Sequence, residues 1–201
     1  MRPSQAAQQG SEAARDAAFK RELVQLIPQL RAFARTLTGD ATAADDLAQD
    51  AMLKAWDARA SFALGTNMKA WTFMILRNQF YSDKRRSWRQ SQLDQEAAER
   101  TLVAVDDPSA PVALDELRQA LAMLSVEQRE AVILVGAGGF AYDEAAQICG
   151  CAVGTVKSRV SRARRALQEI LATGSYARDR VSAGGAMVSI LAQAERLSAR
   201  R

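Results

Sequence analysis

The side chains best suited to chemistry in this sequence are the basic and hydroxyl groups between Thr155 and Gln168, a stretch without an acidic residue. In a helix, successive residues lie about 100° apart, so Val156 and Val160 fall on one apolar stripe. The opposite face can bind base edges and phosphates in a DNA major groove. It carries Ser158, Ser161, Arg162 and Arg165, with Lys157, Arg159 and Arg164 on its flanks. A solvated surface helix would usually mix acidic residues into such a face, so the pattern favours DNA binding.

Two features ahead of this helix would position it. A short helical segment from Tyr142 to Cys149 is followed by Gly150, where a left-handed residue would terminate it. A new helix starts near Val153, and two short helices joined by a tight turn suggest a helix-turn-helix motif. Any helical hairpin would give the same spacing. The acid-free face of the second helix is what favours the DNA-binding interpretation.

A second candidate site lies on the helix predicted from Met68 to about Trp88. Arg77, Tyr81, Lys84 and Trp88 line one stripe, so that aromatic and cationic side chains alternate. This arrangement suits a single-stranded nucleic acid, because rings stack on bases while cations neutralise phosphates. The same stripe could instead pack into a core, with the cationic side chains reaching past it to water. The residues alone leave both interpretations open.

The composition argues against an enzyme. Histidine is absent, which removes the commonest general base and metal ligand. Cys149 and Cys151 are too close for a routine disulfide and too few for a zinc site. No nucleophile–base pair or phosphate-binding glycine loop is found, and no apolar run is long enough to span a bilayer. We therefore expect a cytoplasmic protein with no catalytic residue, metal, cofactor, small-molecule substrate or membrane association.

Helical periodicity dominates the chain and no stretch alternates like a strand, so the predicted fold class is all-α. We expect two small helical domains joined by a flexible acidic linker that contains Asp106, Asp107, Pro108 and Pro111. As separately tethered units, the domains would offer cationic surface to different stretches of one DNA. The expected division is a disordered N-terminus (1–18), a first domain (19–90), the linker (91–112), a second domain (113–172) and a tail with a possible short amphipathic helix (173–201).

Local signals set the expected helix boundaries. The first helix, Phe19 to Leu37, should break at Pro28 and stop at Gly39. The second should run from about Ala43 to Arg59. Ser125, followed three residues later by a glutamine, fits a capping box that opens a helix in the second domain.

Four segments together resemble the extracytoplasmic-function (ECF) sigma factors of bacterial RNA polymerase. They are GTVKSRVSRARRAL (154–167), similar to region 4.2, LSVEQREAV (124–132), similar to region 4.1, DDLAQDAMLKAW (45–56), similar to region 2.2, and TNMKAWTFMILRN (66–78), similar to regions 2.3 and 2.4. The likeness covers about residues 19–172, and the run 66–86 is closest to the alphaproteobacterial general-stress (EcfG-type) branch. Ala141 stands where the family often has a capping serine, and Ala152 where it often has proline.

The resemblance implies promoter-specific transcription initiation of stress-response genes, without catalysis by the protein itself. Its implied partners are the β′ clamp of core RNA polymerase, promoter DNA and a small helical anti-sigma protein. The implied contacts to the −35 element are Thr155, Lys157, Ser158, Arg159, Ser161, Arg162 and Arg165. Those to the −10 element are Asn67, Lys69, Arg77, Asn78, Tyr81, Lys84 and Arg85. Those to the polymerase are Asp46, Gln49, Asp50, Leu53 and Lys54.

Two alternatives use only part of this pattern. A sigma-like decoy would bind an anti-sigma protein and never touch DNA, but the intact cationic face around Arg162 and the absence of a receiver domain argue against it. A stand-alone helix-turn-helix regulator would leave the segments similar to region 2 without a role.

Overall fold

A computed structural model describes residues 5–63, 65–93 and 112–174, and all regular structure in these ranges is helical. The helices are α1 (Gln5–Gln25), α2 (Ile27–Thr38), α3 (Ala41–Asp57), the 3-10 helix η1 (Arg59–Ser61), α4 (Met68–Leu93), α5 (Val112–Ala122), α6 (Val126–Gly136), α7 (Tyr142–Cys149) and α8 (Val153–Thr173). The predicted all-α fold class is confirmed. The central part of the expected linker and nearly all of the expected tail lie outside the described residues.

Helix boundaries in the N-terminal part follow local signals. The break expected at Pro28 is confirmed, because α1 ends at Gln25 and Pro28 lies in the first turn of α2, where its missing N–H has no cost. Gly39, with φ of +73°, ends α2 and donates its N–H to the Arg35 carbonyl. The Asp40 carboxylate then accepts from the Ala43 N–H at 2.7 Å, which starts α3 two residues earlier than expected.

Residues 5–18, which we expected as a disordered N-terminus, form the first turns of α1 in this structure. These residues are rich in alanine and glutamine, which are good helix formers, and buried Phe19 fixes the helix to the rest of the protein. The helix α4 likewise continues to Leu93, past the expected end near Trp88 and into the expected linker, because neither proline nor glycine interrupts that stretch. In both places helix propensity extends a helix beyond its apolar face.

Helices α6, α7 and α8 pack as a second group in which the expected helix-turn-helix is present. Gly150 ends α7 with φ of +61°, and α8 begins at Val153. Ser125 accepts from a backbone N–H in the first turn of α6, as its capping signal predicted. At Ala141, where no side-chain cap is possible, the Glu144 carboxylate accepts from the Ala141 N–H at 2.9 Å. The backbone N–H of Ala141 at the start of α7 therefore still has a hydrogen-bond acceptor.

The two helical groups pack against each other in this structure. The rings of Phe33 and Phe73 stack with centroids 5.0 Å apart, and Phe73 meets Phe140 edge-on at 5.1 Å. One buried core therefore runs from the N-terminal helices into α6, α7 and α8. The cause lies in α4, whose apolar residues occupy more than one side: α2 and α3 cover part of them, and α7 packs over the remainder.

Candidate promoter and polymerase interfaces

The helix α8 divides into a buried stripe and an exposed cationic face. Val156, Val160 and Ala163 are buried against the second helical group. The exposed residues on the other side are Lys157, Ser161, Arg162, Arg164 and Arg165, while Thr155, Ser158 and Arg159 are half-buried. This is the surface that the periodicity predicted, and its arginines do not turn inward.

The side chains of the −35 candidates differ in how accessible they are to DNA. The Ser158 hydroxyl donates to the Thr155 carbonyl at 2.9 Å, and Arg159 reaches back to the Cys151 Sγ at 3.8 Å, so both are partly engaged within the motif. Arg165 lies 3.9 Å from the Glu169 carboxylate in an exposed pair that water screens strongly. Lys157, Ser161 and Arg162 are the candidates most open to a duplex.

Four of the −10 candidates on or before α4 make polar contacts with the second helical group. The Asn67 amide donates to the Glu144 carboxylate at 2.6 Å, and the Lys69 ammonium donates to the Gly138 carbonyl at 2.6 Å. Arg77 pairs with Glu130 through its Nε, and the Tyr81 hydroxyl donates to the same carboxylate at 3.3 Å. The remaining candidates Asn78, Lys84 and Arg85 are exposed. Lys69, Arg77 and Tyr81 are therefore half-buried against α6 and the turn that follows it, and Asn67, although exposed, is hydrogen-bonded to α7.

Glu130 is the centre of this contact, and our sequence analysis did not single it out. Its side chain is fully buried, and burial raises the pKa of its carboxyl while the guanidinium of Arg77 opposes the rise. Burial, together with the Glu130 charge, raises the pKa of Tyr81 to about 12. Burial tends to lower the pKa of Arg77, but Glu130 outweighs it and the pKa is raised. The available signal was spacing, since Glu130 lies one helical turn before buried Leu134 and so shares its face.

Arg129, the neighbour of Glu130, fixes the opposite side of α6. Its guanidinium donates to the Thr36 carbonyl at the end of α2 at 3.0 Å, and to the carbonyls of Ala122 and Leu124 at 3.1 Å each. Burial lowers the pKa of this guanidinium. Consecutive residues of α6 thus join the second helical group to α2 and to α4.

The turn between α6 and α7 requires a glycine at position 138. A Cβ built there would lie 2.6 Å from the Leu134 carbonyl oxygen and 3.0 Å from the Phe140 ring. The Gly138 carbonyl accepts from Lys69, whose ammonium also lies 4.8 Å from the Phe140 ring centroid. At Gly136, in contrast, a Cβ would meet nothing within 4 Å.

The polymerase candidates lie on α3. Asp46, Gln49, Asp50, Leu53 and Lys54 are all exposed. Leu53 is 63% exposed, and it borders an apolar groove of about 530 Å³ between α1 and α3. Lys54 is partly engaged, because its ammonium contacts the Gln79 side chain on α4. Asp45 pairs with Arg31 at 2.5 Å, which holds the pKa of that carboxyl below its ordinary value. A contiguous apolar groove rimmed by polar side chains is typical of a protein-binding face.

Within the described ranges, no cluster of His, Cys, Asp and Glu side chains could hold a metal ion. The same ranges contain no helix that is both long and apolar enough to cross a membrane. Cys149 and Cys151 are free thiols, of which Cys149 is buried.

Comparison with known families assigns both helical groups to one class of protein. The family model for sigma-70 region 2 matches residues 23–90, and that for sigma-70 region 4 matches residues 114–167. The fold and its cationic helix-turn-helix thus define a transcription factor of the sigma-70 class.

Individual relatives narrow the class. The chain is 47% identical over 150 residues to the ECF RNA polymerase sigma factor EcfG of Rhodopseudomonas palustris, an alignment that covers 75% of this chain and 83% of that protein. The chain belongs to the ECF sigma factors, as the four motifs predicted, and it is similar to the EcfG type. Among solved structures, it is similar to the sigma factor RpoE of Bartonella quintana, solved with the anti-sigma factor NepR (TM-score 0.70, 49% identity, 77% of this chain and 96% of that one). It is also similar to CnrH, solved with the cytosolic domain of CnrY (TM-score 0.54, 27% identity, 80% and 94%).

Proposed function

We propose that this sigma factor brings core RNA polymerase to promoters of stress-response genes and that its regions 2 and 4 bind the −10 and −35 elements. The observation that carries the proposal is the exposed face of α8 between Thr155 and Gln168, which contains no acidic residue and is backed by a fully buried apolar stripe. We assign residues 19–90 to region 2 and 113–172 to region 4. The protein contributes binding energy and specificity and needs no catalytic residue or cofactor. We place it in the cytoplasm, with polymerase and DNA.

In this proposal α8 lies in the major groove of the −35 element. Arg162 and Ser161 face outward from the middle of the helix, where a recognition helix reaches base edges. Lys157 and Arg165, nearer the ends of that face, neutralise phosphates, which sets register and adds affinity without reading sequence. Thr155, Ser158 and Arg159 complete the contact from their half-buried positions.

The exposed side of α3 would bind the β′ clamp of the polymerase. Leu53 supplies an apolar anchor beside the groove, and the surrounding polar side chains, Asp46, Gln49, Asp50 and Lys54, form the rim. In the described residues these side chains are exposed, although Lys54 also contacts Gln79, so polymerase can reach them without a rearrangement of the two regions.

The −10 contacts require an additional step, because Asn67, Lys69, Arg77 and Tyr81 bind region 4 in this structure. For these side chains to reach DNA, helices α6 to α8 must separate from α4. We propose that the closed arrangement is the inactive form, which a small helical anti-sigma protein holds. The similar sigma factor RpoE was itself solved with the anti-sigma factor NepR.

The covered −10 surface also suits the alternatives of a decoy and a stand-alone regulator. A decoy that only binds an anti-sigma protein would have no need to open. A regulator would use α8 alone. Both alternatives leave the exposed polymerase candidates on α3 unused, which favours the sigma factor.

Transcription with purified core polymerase tests the proposal. We expect the full chain to give transcripts from a promoter with intact −35 and −10 elements, and few from a promoter with either element scrambled. Arg162→Ala should weaken initiation at least tenfold, whereas Arg35→Ala, an exposed arginine on α2, should change it less than twofold. Promoter-independent output on addition of the wild-type protein would refute the function. No effect of Arg162→Ala on promoter DNA binding, together with intact anti-sigma binding, would support the decoy. Activity without core docking would support the regulator.

A further inference from the structure

The N-terminal turns of α1 precede the part of the chain that matches region 2, which starts at residue 23. Between residues 12 and 18 the side chains are exposed except for Asp16, which is half-buried. A helix with so little apolar contact would ordinarily fray at its end. The contacts that these turns do make converge on the segment that leads into the −10 candidates.

Polar contacts from α1 meet that segment at its start. The Arg15 guanidinium donates from Nη2 to the Phe62 carbonyl at 3.3 Å. The Asp16 carboxylate accepts from Arg59 Nε at 3.0 Å. Arg59 also donates to the Trp56 carbonyl at 3.1 Å and lies 4.4 Å from the centroid of the Trp56 rings. The end of α3, η1 and the carbonyl of Phe62 are therefore all tied to one turn of α1.

Ring contacts add a second connection. Phe19 is 3% exposed, and its ring centroid lies 5.8 Å from that of Phe62 and 6.1 Å from that of Trp71. Phe62 and Trp71 themselves approach to 5.1 Å. Phe62 lies just before the short connection to α4, and Trp71 lies in the first turn of α4, where its N–H donates to the Asn67 carbonyl at 3.1 Å. Phe19 thus contacts both ends of the stretch that presents Asn67.

We propose that Arg15, Asp16 and Phe19 are positioning residues for promoter recognition, because they fix both ends of the segment that carries Asn67. This inference rests on the proposed role of Asn67 in binding the −10 element. Base discrimination depends on the placement of polar groups to within a fraction of an ångström. Two charged hydrogen bonds and the ring of Phe19, all from residues that precede the family match, hold this segment and can therefore set base preference in this protein.

The experiment compares Arg15→Ala with Arg21→Ala, a matched control on an exposed position of the same helix. Each full-length variant is combined with core polymerase and assayed on an intact promoter and on promoters with single base changes in the −10 element. We expect Arg15→Ala to lower the ratio of intact to altered promoter activity about three- to tenfold, the effect of losing one part-exposed charged hydrogen bond. Arg21→Ala should leave the ratio unchanged. Affinity for core polymerase should change less than twofold in both, and Arg15→Lys should recover part of the ratio.

A purely structural role would lower stability without altering base preference, so thermal unfolding is measured for each variant. Phe19→Leu keeps most of the apolar volume and should also lower the ratio. Hydrogen exchange of a peptide spanning residues 59–67 in the free protein gives a readout that needs no promoter, and we expect faster exchange there in Arg15→Ala and no change in α8. Unchanged exchange, or faster exchange with an unchanged promoter ratio, would overturn the inference. A wild-type protein without any −10 preference would instead refute the proposed function.

Discussion

Replacement of Glu130 by glutamine should open the contact between region 4 and α4. Glu130 is fully buried and meets Arg77 and Tyr81 on α4. Glutamine keeps the shape and can still accept a hydrogen bond, so the loss is mainly the charge. Tyr81 then has a neutral partner, and Arg77, which stays charged, loses the opposite charge that it pairs with. Since a hydrogen bond contributes about 1.5–3 kcal/mol with a charged group and about 0.5–1.5 kcal/mol without one, we expect a cost to the closed form of about 1–2 kcal/mol. This cost corresponds to a change of roughly five- to thirtyfold in the ratio of open to closed protein.

The upper limit on the cost of Glu130→Gln to the closed form is about 3–5 kcal/mol. This is the cost of breaking a buried ion pair when the remaining charge stays buried. Opening avoids that limit because it lets the Arg77 guanidinium reach water. We therefore expect Glu130→Gln to appear as opening, with little global unfolding.

Lysine acylation followed by mass spectrometry measures this opening directly. The Lys69 ammonium is bound to the Gly138 carbonyl in the closed form, whereas Lys84 is exposed and serves as an internal reference. In Glu130→Gln the rate at Lys69 relative to Lys84 should rise by up to about five- to thirtyfold. Glu169→Gln, which removes an exposed carboxylate on α8, is the control and should leave the relative rate unchanged. An unaltered Lys69 rate in a folded Glu130→Gln protein would refute the reasoning.

Further predictions concern the packing of the second helical group, its thiols and α8. Gly138→Ala should lower the free energy of unfolding by about 1–3 kcal/mol, because its Cβ would overlap the backbone. Gly136→Ala should leave the free energy of unfolding unchanged or raise it by about 0.5–1 kcal/mol. Urea unfolding of both variants checks this, and equal values would contradict it. Burial raises the pKa of Cys149 to about 12, so at pH 8 iodoacetamide should modify Cys151 in the folded protein and leave Cys149 unmodified. The reactivity of Cys149 should rise as the pH rises toward that pKa. Equal labelling of both thiols before unfolding would count against this prediction. Arg162→Ala should weaken binding to a −35 duplex by about 1–3 kcal/mol, measured by fluorescence anisotropy at fixed salt, and an unchanged Kd would remove this residue from the contact.

Features governed by neighbours in sequence were predictable. The helix from Tyr142 to Cys149 has the expected ends, because Gly150 adopts the left-handed conformation that its position required. The buried stripe of α8 followed from period alone, since Val156 and Val160 recur at helical spacing. The break at Pro28 followed from the chemistry of the proline ring.

Features governed by contacts between distant residues were not predictable from pattern. Apolar residues on several sides of α4 indicated burial, but periodicity does not show which element covers each side. The pairing of Arg77 with Glu130 joins residues 53 positions apart, and nothing local to either one indicates the other. The helical start of α1 was missed for a related reason, because its anchors at Phe62 and Arg59 lie more than 40 residues away.

In the closed packing, region 4 contacts the proposed −10 interface, whereas the proposed −35 and polymerase interfaces are open. We expect this difference to set the order in which the steps of initiation occur. Region 4 closes on α4 through α6, α7 and their connecting turn, while the cationic face of α8 points to solvent and the polymerase candidates on α3 stay exposed. Polymerase and the −35 duplex can therefore bind the closed protein, and only the −10 strand must compete with region 4 for Arg77 and Tyr81. Since a ligand shifts a two-state equilibrium only by its difference in affinity for the two states, −10 DNA must favour the open form by more than the closing contacts stabilise the closed one. A partner that binds both regions in the closed form would increase the difference in affinity that −10 DNA must supply, and it need not touch the −10 surface. Such a partner is therefore sufficient to inactivate the protein.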